Sequence, residues 1–272
     1  MKGTVSKKLL PAVGTGLDAD VAKEFVSSME KMLGDSKAVS AHFQKLFGGE
    51  ATVRFDPYAP SAYFNAKDNE VVLPGKRMPP KPGEKPLPAV DPVDLVDGFL
   101  FESCNVERAE DFVELHKDFM TKMETDPVSF SSYGDKKARI ECEATTKQAQ
   151  LLFDLLKSGG SVAPAGKRNL VAMSGLVLKH ASAGKLPPSS GDEATVGEED
   201  ILEFESLRSE LLATKSDGSE AAVLLEQKMD AFLEKHKGVL DRGLTQIDGD
   251  EDLREAVFTN FAESRHNVNK GE

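Results

Sequence analysis

The chain has 272 residues, a hydrophobic fraction of 39% and a formal net charge of −12. This length favours two globular domains, and the composition is that of a soluble, core-forming protein. No stretch approaches the roughly 18 consecutive apolar residues that a membrane-spanning helix requires, so we expect no membrane span.

The acidic excess lies entirely in the C-terminal part of the chain. Positions 1–190 hold 25 acidic and 25 basic residues, whereas positions 191–272 hold 21 acidic and 9 basic residues. Because contacts to phosphate need Lys and Arg, this asymmetry argues against nucleic acid as a partner. It indicates two units with different surfaces, although an acidic face that only aids solubility would produce the same pattern.

Residues 1–17 carry lysines followed by a short apolar patch that Pro11 and Gly14 interrupt. That patch is too short for the apolar region of a cleaved signal peptide. We expect a disordered N-terminus, synthesis in the cytoplasm, and any export to use a system that is independent of a signal peptide. Two cysteines, Cys104 and Cys142, are too few for a disulfide framework and fit buried free thiols.

The first half of the chain mixes helical and strand-like patterns. Apolar periodicity predicts two helices and then three short strands, at 18–33 and 36–47 and at 51–55, 62–66 and 70–73. Turn-forming residues at 67–69 join the last two strands as a hairpin. The sequence therefore predicts a small antiparallel sheet among helices.

A proline-rich loop at 74–92 holds half of the 14 prolines, and Pro92 with Asp91 then fits the start of a helix. This helix is apolar nearly all round up to about residue 105, which is typical of a buried central helix. Further helices are predicted at about 136–156 and 169–180. We therefore expect an α+β, mainly helical domain over 18–180.

Residues 181–199 are rich in Gly, Pro, Ser and acidic residues and are predicted to be a linker. Three amphipathic helices follow, at about 200–214, 218–236 and 249–264. The sequence thus predicts an acidic three-helix bundle over 200–266.

Several familiar sites are excluded by spacing. The segment 159–168 has five residues rather than four between its glycines, which excludes a phosphate-binding loop. The five histidines are not paired at ligand spacing with another His or Cys, so they are read as single surface residues. We expect no metal site and no cofactor.

Glu102 is the only charged residue between Gly98 and Val106 in the apolar helix. Helical geometry places it at the edge of the most apolar face, and Glu141 lies near the apolar face of the following helix. A buried acid is paired, caps a neighbouring helix or takes part in chemistry, because an unpaired buried charge is very costly. Two converging carboxylates would suit acid/base catalysis, and a structural acid is the alternative.

The order of hairpin, loop, buried helix and further helix over 51–145 weakly resembles the core of zincin metalloproteases. Residues 101–105, FESCN, align with the family's HExxH motif. The resemblance implies that Glu102 takes the place of the general base, whereas Phe101 and Asn105 replace both histidine ligands. Zinc binding and the hydrolysis that depends on it are therefore not expected.

Two functions fit these patterns. The first is a protein-interaction protein, a secreted bacterial effector or an accessory factor, that binds another protein through the bundle or the proline-rich loop. The alternative is a hydrolase-like enzyme on a degenerate zincin core, in which Glu102 acts with Asn105 and Glu141. The first hypothesis predicts an exposed apolar patch, and the second predicts that Glu102 faces a cleft.

Overall fold

The computed structural model describes residues 9, 11–80, 83, 85–122, 129–160, 162, 164–186, 195–214 and 219–270. The chain divides into two compact units, Met1–Gln148 with Ser158–Ala163, and Ala149–Lys157 with Pro164–Glu272. It is mainly helical with one small sheet, which confirms the predicted α+β class.

Among its described residues, the first unit contains the helical residues 11–16, four further helices and the larger part of a fifth, together with three strands. The helices are α1 (Ala19–Asp35), α2 (Lys37–Gly48), α3 (Pro92–Val106), α4 (Ala109–Lys122) and α5 (Ser129–Lys157), and the strands are β1 (Thr52–Asp56), β2 (Tyr63–Asn65) and β3 (Glu70–Pro74).

The sheet has the order β1-β3-β2 and is mixed. Strands β2 and β3 form the predicted antiparallel hairpin, with Tyr63 opposite Val72. Strand β1 pairs with β3 in parallel, with Thr52 opposite Glu70, so the expectation of a wholly antiparallel sheet needs this correction. The apolar residues of β3 are fully buried, and a strand of this kind takes the centre of a sheet with a neighbour on each side.

Helix α3 lies in the core of the first unit, as its apolar composition predicts. The Phe99 ring is fully buried and lies 5.1 Å from the ring of Phe43, 6.1 Å from Phe47 and 6.3 Å from Phe25, measured between centroids. The helix begins at Pro92, and the Asp91 carboxylate accepts the backbone N–H of Val93 at 2.7 Å. The prediction of Asp91 as N-cap is therefore confirmed.

The second unit is helical throughout its described part. Its elements after the end of α5 are α6 (Pro164–Ser182), α7 (Glu198–Ala213), α8 (Glu220–Lys235), α9 (Lys237–Gln246), a single 3-10 turn (Ile247–Gly249) and α10 (Glu251–Lys270). Helix α6 packs against α7, α9 and α10, and α7 packs against α8.

Two boundaries differ from the sequence-based expectation. Residues 11–16 are helical, with Val13 and Leu17 buried, where a disordered terminus over 1–17 was expected. The division into units places α6 with the C-terminal helices, so it does not fall at the expected linker 181–199; residues 187–194 of that segment lie outside the described residues.

The expected three-helix bundle contains a further helix, α9. The sequence hides it because it is short and carries two glycines, which weaken a helical pattern. Gly243 lies where α9 approaches α6 closely. A methyl group at this position would collide with Val177 of α6, so only glycine permits this approach of the two helices.

Candidate functional site

Glu102 lies in α3, and only 7% of its surface is exposed. Asn105, three residues further along the helix, donates a hydrogen bond from Nδ2 to Oε2 of Glu102 at 2.8 Å. Residues three apart on a helix share a face, so the helix itself brings these two of the three candidate residues together. The Oδ1 atom of Asn105 is buried and has no hydrogen-bond partner within the described part of the chain.

The pKa of the Glu102 carboxyl is raised from 4.5 to about 7. Burial is the main cause, because it disfavours the charged form, and the negative charge of Glu141 raises the pKa further. The hydrogen bond from Asn105 and the backbone amide of Phe64 act in the opposite direction without cancelling the effect. This carboxyl therefore exchanges its proton near neutral pH.

Glu141 lies on α5 with 14% of its side chain exposed, and Nζ of Lys137 is 3.6 Å from its carboxylate. Its effect on the pKa of Glu102 means that the two carboxyls are close enough to interact electrostatically. The structure thus places Glu102, Asn105 and Glu141 in one region of the first unit. Their catalytic roles stay predictions.

A surface recess of about 360 Å³ lies in the same unit, and none of these three residues lines it. Among the described residues, no group of three or more His, Cys, Asp or Glu side chains could hold a metal ion. What the Glu102 arrangement can do chemically is therefore the uptake and release of a proton inside the core.

The structure also contains a second polar cluster, formed by His42, Ser103 and Glu107, that the sequence does not predict. Nε2 of His42 lies 2.8 Å from the Ser103 hydroxyl, and Nδ1 lies 3.6 Å from a carboxylate oxygen of Glu107. These are the residue types of a hydrolytic triad, but Ser103 is completely buried and its hydroxyl donates to the Leu100 carbonyl at 2.6 Å. This hydroxyl is therefore buried and hydrogen-bonded within its own helix, which does not suit a nucleophile.

His42, His180 and His236 are all buried, so the interpretation of the histidines as surface residues is wrong for these three. The sequence does hold a signal. His42 follows Val39 by three residues and precedes Leu46 by four, which places it on the apolar face of α2. A histidine on such a face is buried with the face and must find polar partners inside.

Within the described part of the second unit, the exposed large apolar side chains all lie on α7 and α8. Leu202 and Leu212 of α7 are 66% and 58% exposed, and Val223 and Leu224 of α8 are 45% and 52% exposed. The same helices also supply buried residues to the unit's core, for example Phe204. The exposed residues are therefore additional to the apolar residues that hold the unit together.

The proline-rich loop is held by Arg77. Its guanidinium donates to the carbonyl oxygen of Pro88 at 2.9 Å and to that of Ala59 at 2.6 Å. Met78 and Leu87 are exposed at 53% and 37%. This loop is thus a second region with exposed apolar side chains, but one without an acidic surround.

The chain matches no protein-family model, no curated protein and no solved structure among those compared. The resemblance to zincins, and the role as general base that it implies for Glu102, stay predictions. No helix in the described part of the chain is long and apolar enough to cross a bilayer.

Proposed function

We propose that this is a protein-interaction protein and that the helical hairpin α7–α8 binds a basic, amphipathic segment of another protein. The observation that carries the proposal is the set of four exposed apolar residues on these two helices: Leu202, Leu212, Val223 and Leu224. Exposed apolar side chains that lie together in a patch are typical of an interaction surface.

The two helices of the hairpin run antiparallel. Asp200, near the start of α7, and Lys235, at the end of α8, form an ion pair at 2.8 Å. Leu212, near the end of α7, therefore lies at the same end of the hairpin as Leu224, near the start of α8. This end supplies a paired apolar contact for a partner.

The charge of the hairpin defines the chemistry of the partner. Helices α7 and α8 carry ten acidic and three basic residues. Such a surface attracts Lys- and Arg-rich segments over a distance, and its leucines then bury apolar side chains of the partner. The proline-rich loop has exposed apolar residues without this complementary charge, and we rank it second as a binding surface.

The proposal extends to the cellular role of an accessory factor or a secreted effector. That part is supported by the sequence alone, through its acidic C-terminal region.

The binding surface is tested with a fluorescently labelled amphipathic peptide, designed to be helical with Lys on one face and Leu on the other. Its binding is measured by fluorescence anisotropy. We expect the full chain to bind it, and the double variant Leu212→Glu/Leu224→Glu to bind it at least about tenfold more weakly, because apolar contact is replaced by buried charge. Leu87→Glu in the proline-rich loop is the matched control and should bind normally. Equal losses in both variants would refute the hairpin as the site.

Hydrolysis by Glu102 is the second candidate function, and its supporting observation is the pKa of about 7, which suits an acid/base group at neutral pH. We rank it below protein binding because the carboxyl is buried and does not line the recess. A screen with casein and ester substrates tests it: activity that Glu102→Gln abolishes, while the variant stays folded, would reverse this ranking.

A further inference from the structure

We propose that the α7–α8 hairpin is closed at one end by a pH-sensitive latch, formed by His236, Asp200 and Lys235, and that mild acid opens this latch and releases the partner. The latch lies where α8 ends and α9 begins, beside the start of α7. This inference rests on the function proposed for the hairpin, and it adds a means by which binding there is regulated.

His236 lies at the junction of two helices. It follows the last residue of α8 and precedes the first residue of α9, and its φ of −103° and ψ of 16° depart from helical values. Its side chain is almost completely buried, beside Asp200 of α7 and with 4.6 Å between its ring and that of Phe232. The imidazole is therefore enclosed where three helices meet.

The buried imidazole of His236 is poorly hydrogen-bonded. Its Nε2 lies 3.2 Å from Oδ1 of Asp200, but neither this nitrogen nor Nδ1 makes an aligned hydrogen bond in the described part of the chain. A protonated imidazole has two N–H donors and a positive charge. Because burying such a group without aligned acceptors is costly, the closed latch favours the neutral ring.

Asp200 does not serve as a full counter-ion for this ring, because its oxygens already have partners. Oδ1 accepts from Nζ of Lys235 at 2.8 Å, and Oδ2 accepts from the backbone N–H of Gly197 at 2.9 Å. The lysine thus holds a positive charge beside the position where a protonated His236 would add a second one.

The pKa of His236 is lowered from its usual 6.5, mainly by burial and further by the charge of Lys235. The acids of α7 that face the ring, Asp200 and Glu203, act in the opposite direction without cancelling the effect. An open latch lets the ring reach water and bind its proton more tightly. The closed latch is therefore fully favoured above about pH 6.5 and loses stability as the pH falls below this value.

The latch sets the spacing of the leucines on the hairpin. Leu202 lies on α7 two residues after Asp200, and Leu224 lies on α8. The pair of Asp200 and Lys235 and the buried His236 hold the two helices together at the end where α7 starts. Once this end opens, a partner loses the fixed spacing between the two helices, and its affinity falls because the surface is no longer preorganised.

Fluorescence anisotropy with the full chain and the Lys/Leu amphipathic peptide tests the latch at about pH 7.5 and about pH 5.5. Exposed carboxylates titrate near pH 4, so they stay ionised at both values. The wild type should bind about threefold or more weakly at the lower pH. His236→Phe keeps a ring beside Phe232 but removes the titratable group, and its affinity should change by less than about twofold. Equal pH dependence in both proteins would overturn the proposal.

His180→Gln is the matched control. His180 is a second buried histidine of the same unit and also lies 3.2 Å from an aspartate, Asp250, but it is on α6 rather than on the hairpin. Its variant should keep the pH dependence of the wild type. If His180→Gln loses that dependence to the same extent as His236→Phe, acid acts on the whole unit and the latch is wrong.

A second measurement does not need the partner. NMR titration of the imidazole protons should show His236 titrating below pH 6.5, with the methyl resonances of the buried Leu233 on α8 shifting over the same range. Failure of the peptide to bind at either pH would refute the function proposed for the hairpin. A His236 resonance that titrates at or above pH 6.5, or without any shift of Leu233, would refute the latch.

Discussion

Helix α3 of the first unit and the α7–α8 hairpin of the second differ in which side chains they bury: the first buries a charged residue, and the second exposes apolar ones. Helix α3 keeps an acid, Glu102, buried, whereas the hairpin exposes leucines such as Leu212 and Leu224 on helices rich in acidic residues. The buried acid costs stability at neutral pH because its pKa is raised. The exposed leucines contribute little to stability, so binding to another protein is the simpler explanation for them.

The largest expected effect concerns the core around α3. Phe99→Ala removes a fully buried ring that contacts three other phenylalanines and should cost about 3–5 kcal/mol in the free energy of unfolding. Because the chain has no tryptophan, circular dichroism during urea unfolding is the suitable measurement. A loss below about 1 kcal/mol would mean that α3 is not the centre of this core.

The next effect concerns the acid in that core. The folded pKa of Glu102 lies above the unfolded value of 4.5, so the folded state binds the proton more tightly and stability falls as the pH rises from about 4.5 to about 7. At higher pH the loss should level off at about 3 kcal/mol. Glu102→Gln, which can still accept from Asn105, should recover that amount at about pH 8 and almost none at about pH 4.5.

Urea unfolding at both pH values measures this difference. Glu143→Gln changes a half-exposed glutamate of the same unit that pairs with Arg108, and it should change stability by no more than about 0.5 kcal/mol at either pH. A Glu102→Gln variant that is less stable than the wild type at about pH 8 would show that the ionised carboxylate makes contacts worth more than its burial costs.

A smaller effect is expected in the core of the second unit. Gly243→Ala puts a methyl group against Val177 of α6, and such overpacking costs about 1–3 kcal/mol, partly offset by the better helix propensity of alanine. Thermal unfolding followed by circular dichroism should show the loss. If Gly243→Ala is neutral or stabilising, the close approach of α6 and α9 is not what holds this unit together.

The smallest effect on stability is expected for an exposed leucine of the hairpin. Leu224→Ser on the hairpin should change the free energy of unfolding by less than about 0.5 kcal/mol, since the side chain is 52% exposed. The same urea titration measures it. A loss above about 1 kcal/mol would assign this leucine to the core and remove the argument that it serves a partner.

Much of this architecture follows from local patterns. The helix start at Asp91 and Pro92 and the β2–β3 hairpin depend on capping and turn residues, which the sequence displays directly. The contact between Glu102 and Asn105 follows from their spacing on one helix. The direction of the pKa shift of Glu102 also follows from its apolar neighbours.

What the sequence did not reveal depends on tertiary packing. Strand β1 pairs in parallel with β3. The alternation of apolar and polar residues specifies which face of a strand is buried, but not which strand it pairs with or in which direction. Helix α9 depends on the fit of Gly243 against Val177. The polar cluster of His42, Ser103 and Glu107 joins segments far apart in the chain, so only their common position in the fold identifies it.

Leucine-methyl NMR of the full chain, titrated with the Lys/Leu amphipathic peptide, tests the central claim most directly. The resonances of Leu202, Leu212 and Leu224 should shift on binding, while that of the exposed Leu87 and those of buried leucines in the first unit, such as Leu100, stay in place. Shifts confined to Leu87, or saturable binding that moves none of the hairpin leucines, would contradict the assignment of the binding surface to α7 and α8.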